Sequence, residues 1–352
     1  EPITLTGTGL WNGSVDYNQQ VLAASGTASL QDMLMLIGKK QIREASVTLV
    51  HDLTLDTKKH SAKIAELKLN SQPATFSLAG TIDQYDKLAI ANLSGAYAIA
   101  WPKLTPIIRQ FAPDIPETLA TLDKTTGDFQ LADSAGRVKG KFSFHGPAGA
   151  LKGQFAGVRP KEPIGLIVDR AITAVVHNKP LSLPELSANI DGHIMVPPIV
   201  EAAGLLAKMP KDLKLTSGRV DIRSFTIQGG AKPQLNADII AKNIAGVRSG
   251  KNVTLDDVTI LALAGGDKTG RLQISKVNFT TSFAKAAAAG NIGDFTLKAD
   301  ADLPKLKRQL GQFIDMPATL AGAINLTATI KKVGNSYDKL AIGLNASATD
   351  FQ

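Results

Sequence analysis

Ala45-Ser46-Val47-Thr48-Leu49-Val50-His51-Asp52-Leu53-Thr54-Leu55-Asp56 carries the pattern that decides the fold. Ala45, Val47, Leu49, Leu53 and Leu55 share one parity, and Ser46, Thr48, Asp52, Thr54 and Asp56 share the other. His51 interrupts the apolar series. A side-chain period of two belongs to a β-strand with one apolar and one polar face. Working outward, the same alternation returns in Ala74, Phe76, Leu78, Gly80 and Ile82, and in Ile324, Leu326, Ala328 and Ile330. Further runs of this kind lie near 61–69, 87–100, 138–144, 151–157, 163–175, 184–195, 218–228, 234–242, 252–263, 271–280 and 294–300. Short polar or Gly-rich turns such as 56–59, 229–230 and 265–268 separate them. Strands joined by such short links must be antiparallel neighbours, because a parallel crossover needs a dozen or more residues. The expected fold is mostly β: a long antiparallel meander curled into an elongated open groove.

Three segments break the alternation and predict short helices: Pro102–Phe111, Pro197–Lys208 and Leu303–Phe313. Each has Pro at or beside its first position, which suits a first helical turn. Leu306, Leu310 and Phe313 show the helical spacing. Leu30–Ile37 reads as a weaker fourth helix. After each of the three come a Pro (Pro116, Pro210, Pro317), a Leu, and a Gly that opens a strand (Gly127, Gly218, Gly322). The prolines are 94 and 107 residues apart, which predicts a repeating unit of one helix and a β-meander. On this spacing the chain divides into 1–101, 102–196, 197–302 and 303–352. The ends, Glu1-Pro2-Ile3 and Asp350-Phe351-Gln352, predict a piece of a longer chain.

Composition narrows the function classes. The 352 residues contain no Cys, which excludes disulfides, thiolate metal sites and a Cys nucleophile. A formal charge of +8 permits anionic partners, but the basic residues are scattered and 5% aromatics is few for a nucleic-acid stacking surface. His51, His60, His145, His177 and His193 stand far apart, so no metal site is expected. No nucleophile elbow or phosphate loop is present. The expectation is a protein without catalytic residues or cofactor. Two readings of the repeated apolar face remain open: a dry β-sandwich core in a structural or scaffold protein, or an uncovered trough for apolar ligand. The expected lining of such a trough includes Val47, Leu49, Phe76, Leu78, Leu326 and Ile330.

Ala299-Asp300-Ala301-Asp302-Leu303-Pro304-Lys305-Leu306, followed by Met316-Pro317-Ala318-Thr319-Leu320-Ala321-Gly322-Ala323-Ile324-Asn325-Leu326, resembles the AsmA-like family. That family includes TamB and the YdbH-type envelope proteins of Gram-negative bacteria. Gly95–Leu104 resembles the same strand-to-helix junction. The resemblance implies a β-groove that conducts phospholipid between inner and outer membranes, with acyl chains inside and head groups in water. It further implies a periplasmic location, an N-terminal membrane anchor outside this sequence, and membrane-protein partners at either end. It brings no catalytic residues.

Overall fold

A computed structural model of the chain describes residues 3–85, 90–115, 117–134, 136–158, 166, 169–171, 173–174, 177, 179–181, 183–202, 212–291, 293–314, 321–333 and 340–349. It is mostly antiparallel β with a few short helices. Two compact units emerge: Glu1–Gln154 with Pro198–Gly204, and Phe155–Pro197 with Leu205–Gln352.

In the first unit the chain runs through β1 (Ile3–Asn18), β2 (Val21–Ile37), β3 (Lys40–Asp56), β4 (Ser61–Asn70), β5 (Ala74–Ile82) and β6 (Ile90–Ala100). Helix α1 (Trp101–Phe111) and a 3₁₀ turn (Glu117–Thr121) then lead to β7 (Lys124–Ser134), β8 (Arg137–Gly146) and β9 (Gly149–Val158), where the unit boundary falls. From β1 to β8 each strand pairs antiparallel with the next.

The second unit contains β10 (Leu183–Met195), β11 (Leu213–Gly230), β12 (Gln234–Arg248), β13 (Lys251–Leu255), β14 (Val258–Gly266), β15 (Leu272–Thr280), β16 (Ala284–Asn291) and β17 (Asp294–Asp302). Helix α2 (Val196–Ala202) follows β10 in sequence, and α3 (Leu303–Leu310) precedes β18 (Ala323–Lys332) and β19 (Leu340–Thr349). The ladders are again antiparallel between neighbours, with β13 and β14 both paired to β12.

The three helices begin where their prolines place them. In α3, Asp302 supplies the N-cap: its Oδ1 accepts from the Lys305 backbone N–H at 2.9 Å, and Pro304 occupies the first turn where no donor is missed. Two expectations are corrected. Leu30–Ile37 is not a helix but the end of β2; Leu34, Leu36, Met35 and Ile37 are apolar at both parities, and the ladder to β3 decides. Within 163–175, the described residues 166, 169–171 and 173–174 are helical, not extended. Leu166, Arg170 and Ala174 stand four apart and suit a helical period equally well.

A module of the first unit recurs in the second. Strands β3 to β6, α1 and β7 match β13/β14 to β17, α3 and β18 in order and in detail. The β4–β5 and β15–β16 turns each use one hydroxyl: Ser71 and Thr281 donate to the carbonyl three residues on (Ala74 and Ala284) and accept that residue's N–H. In both, the last residue before or at the helix cap donates to the turn: Ala100 N–H to Pro73 O at 2.8 Å, and Asp302 N–H to Phe283 O at 2.9 Å. The ladders skip at the same place, between Ile64 and Leu67 and between Ile274 and Val277. Opposite each bulge sits a glycine at a φ that L side chains rarely adopt, Gly80 at 144° and Gly290 at 123°. A Cβ on either would lie 2.0 Å from a backbone oxygen.

The helices also serve one purpose. The first part of β3 and all of β13 extend past the strand that would cover their outer edge. Gln110 of α1 accepts from the Gln41 N–H at 2.7 Å, while Gln309 of α3 and Gln312 just beyond it accept from the Asp256 and Thr254 N–H groups at 3.0 and 3.2 Å. Side-chain amides thus satisfy edge donors that a neighbouring strand leaves open.

Candidate functional site

Register converts the alternation into faces. In the first unit, one row of direct partners runs Gly26, His51, Leu67, Leu78, Gly95, Phe129, Phe142. The next row runs Trp11, Ala28, Leu49, Leu69, Phe76, Tyr97, Gly127. Between them lie the opposite-face rows, such as Val50, Lys68, Ser77, Ala96 and Asp128. Glycine and aromatic residues fit one another on the apolar face. The Phe129 ring lies where a Cβ on Gly95 would be (2.6 Å), and the Tyr97 ring lies where one on Gly127 would be (2.5 Å). Phe76 stacks on Phe129 with centroids 6.4 Å apart, and Trp11 on His51 at 6.5 Å.

In the second unit one row runs Ile190, Phe225, Ala237, Ala262, Val277, Ala288, Leu297, Ala328, Leu344. A parallel row runs Gly192, Ile222, Ile239, Ile260, Phe279, Ala286, Ala299, Leu326, Ala346, and a third includes Ile227, Leu235, Ile274, Phe295, Ile330 and Ile342. These three rows contain no ionisable group. The opposite face carries Lys276, Lys285, Lys298 and Asp300.

These faces are not packed like a core. Val47, Leu49, Phe76, Leu78, Leu326 and Ile330 are all half-buried, the first four on the apolar face of the first unit and the last two on that of the second. Among the described residues the buried hydrophobic side chains are Leu122, Ala148, Leu213, Ala237, Val253, Phe283 and Leu303, and of these only Ala237 lies in the middle of a long strand. The chain exposes 21330 Å². Even two separate compact bodies dividing 37.1 kDa would expose only roughly 16,000 Å².

His51 sits within the first unit's apolar rows, whereas Glu44 and Asp221 lie outside the rows named above. Glu44 of β3 is buried (8% exposed), and its Oε2 has no hydrogen-bond partner. Burial pushes its carboxyl up, against the opposing pull of a Gln72 backbone hydrogen bond and the Lys103 ammonium. On the polar face of the second unit, burial would raise Asp221, but Lys242, at 2.5 Å, and Arg219 outweigh it and hold the carboxyl below its ordinary range. Among the described residues no three His, Asp or Glu gather as metal ligands, and no helix is long and apolar enough to cross a membrane.

Sequence reading missed Trp11, Tyr97 and Phe129 as face residues, and β1 and β2 altogether. Glycines at 7, 9, 13 and 26 dilute the alternation there. Comparison with family models, with curated proteins and with solved structures finds no match.

Proposed function

We propose that this protein is a non-enzymatic lipid carrier whose apolar sheet faces hold phospholipid acyl chains while the head groups stay in water. The observation that carries the reading is the uninterrupted run of apolar partners across successive strands, left half-exposed in both units. Each methylene moved from water onto such a surface gains about 0.8 kcal/mol, so a phospholipid resists release into water. Sliding from one row position to the next exchanges like for like and costs little. The aliphatic lining, with no ionisable group in the three rows of the second unit, suits a cargo that is held without being selected atom by atom. The resemblance to AsmA-like proteins supports extending the proposal to transport between the inner and outer membranes of a diderm envelope, from a periplasmic position.

Native mass spectrometry of detergent-free protein, followed by lipid extraction, tests the proposal. Heterogeneous phospholipid adducts are expected, and they should fall sharply in Leu78→Asp and Ala288→Asp while far-UV circular dichroism is retained. A clean apo mass, or Asp variants that unfold, would instead identify a dry structural core, since a buried unpaired charge costs several kcal/mol.

A further inference from the structure

One apolar row of the second unit ends against a cationic rim. Ile227, Leu235, Ile274 and Ile330 stand within three residues of the strand ends where β11 turns into β12, β14 turns into β15, and β18 stops. Among the described residues this end carries Lys179, Lys232, Lys268, Arg271, Lys331 and Lys332 against Glu185, Asp267 and Asp294. Lys232, Lys268 and Lys331 are exposed. Asp267 commits its Oδ1 to its own turn, accepting from the Thr269 N–H and hydroxyl at 2.7 Å and from the Arg271 N–H at 3.0 Å. At the opposite end of the strands Arg248 and Lys305 are held by Asp212 and Asp302, at 3.4 and 3.0 Å.

The rim is built and not merely decorated. Gly266 N–H donates to Pro233 O at 2.8 Å, and Leu181 N–H donates to Gly270 O at 2.7 Å. Backbone bonds thereby fasten the β11–β12 turn, the β14–β15 turn and the segment 179–181 to one another. Between them lies an open cavity of about 460 Å³, lined by Leu181, Leu183, Gly230, Lys268 and Thr269. Apolar and cationic groups meet in it, and Lys232 follows directly on the lining residue Ala231.

We propose that this rim binds the head-group phosphate of an anionic phospholipid through Lys268 and Lys232, while the acyl chains lie on the adjoining apolar row. The assignment rests on the acyl-binding reading above and adds to it the class of head group. An ammonium donating to a phosphate oxygen makes a charge-assisted hydrogen bond, about twice as strong as a neutral one. Leu181 and Leu183 suit the glycerol carbons and the first methylenes, and the lysine stems can lie along apolar surface while their charges stay in water. A zwitterionic head group brings its own cation to the rim and gains less than one with net negative charge.

Isothermal titration calorimetry with short-chain phosphatidylglycerol and the matching diacylglycerol, both below their micelle concentrations, separates head group from tails. Phosphatidylglycerol should bind about tenfold more tightly than diacylglycerol at low salt. Lys232→Gln/Lys268→Gln should lose that advantage. Lys214→Gln/Lys251→Gln, which removes the same charge from exposed lysines at the opposite end, should keep it. Diacylglycerol should bind all three proteins equally, and circular dichroism checks that the variants are folded. Equal affinity of the wild type for both lipids, or loss of the advantage in both double variants alike, overturns the head-group assignment and leaves the acyl-binding reading standing. Equally tight binding of glycerophosphate, which has no tails, also overturns it. If neither lipid binds, the acyl-binding reading fails and the assignment falls with it.

Discussion

The two copies of the repeated module share their hydrogen bonds and differ in how their apolar faces are filled. At matched positions the first unit has Leu67, Leu78, Gly95, Phe129 in one row and Leu69, Phe76, Tyr97, Gly127 in the next. The second has Val277, Ala288, Leu297, Ala328 and Phe279, Ala286, Ala299, Leu326. Where β6 and β7 set small against large and large against small (Gly95 with Phe129, Tyr97 with Gly127), β17 and β18 reverse the choice (Leu297 with Ala328, Ala299 with Leu326). The Ser71/Thr281 turn, the bulge with its glycine and the glutamine clasp recur because each answers a backbone requirement. The face needs only to be apolar and locally complementary in volume, so its composition is free to change.

The largest effect should come from the requirement both modules share. Gly80→Ala and Gly290→Ala each place a Cβ against backbone at a φ reserved for glycine, and each should cost about 3 kcal/mol. Chemical denaturation should give nearly equal losses; a loss in one variant alone would break the equivalence of the modules. Next is the ion cluster around Asp221 in the second unit. Asp221→Asn leaves Arg219 and Lys242 without their carboxylate and should cost about 2 kcal/mol, less than a fully buried pair because both cations are part-exposed. The lowered Asp221 pKa gives stability that is complete above the ordinary carboxylate range and is lost as pH falls from there through the lowered folded value.

Glu44 has the opposite sign in the first unit. Its raised pKa means that the fold prefers the protonated form, so its contribution is complete below the ordinary range and is lost as pH rises through the raised value. Glu44→Gln should therefore stabilise the protein at pH 7 by up to about 1 kcal/mol and bring no gain at pH 3.5. Hydrogen exchange should show acid strengthening the start of β3 while weakening β11. The smallest effects belong to the clasps: Gln110→Ala and Gln309→Ala should each cost about 0.5–1 kcal/mol, with exchange at Gln41 and Asp256 accelerated and the apolar faces unchanged.

Much of this was legible in period and punctuation. The alternation at 45–56, 74–82 and 324–330 gave strands and their apolar parity, and prolines placed α1 and α3, because both signals are local. Two things were not local. Whether an apolar parity is packed or left half-exposed depends on what covers it, and Leu78 reads identically in either case. The pairing of Gly95 with Phe129 and of Tyr97 with Gly127 depends on register between β6 and β7, whose intervening helix and 3₁₀ turn hide it from the sequence. Leu30–Ile37 failed for a third reason, since apolar residues at both parities satisfy a helix and a strand alike.

The most direct test places a photoreactive diazirine amino acid at single positions on one strand, at Leu78 or Ser77 and at Leu326 or Thr327, in protein exposed to phospholipid vesicles. Phospholipid crosslinks at Leu78 and Leu326, with little at Ser77 and Thr327, are the expected result. Equal labelling of both parities, or none at Leu78 and Leu326, would contradict an acyl-binding apolar face.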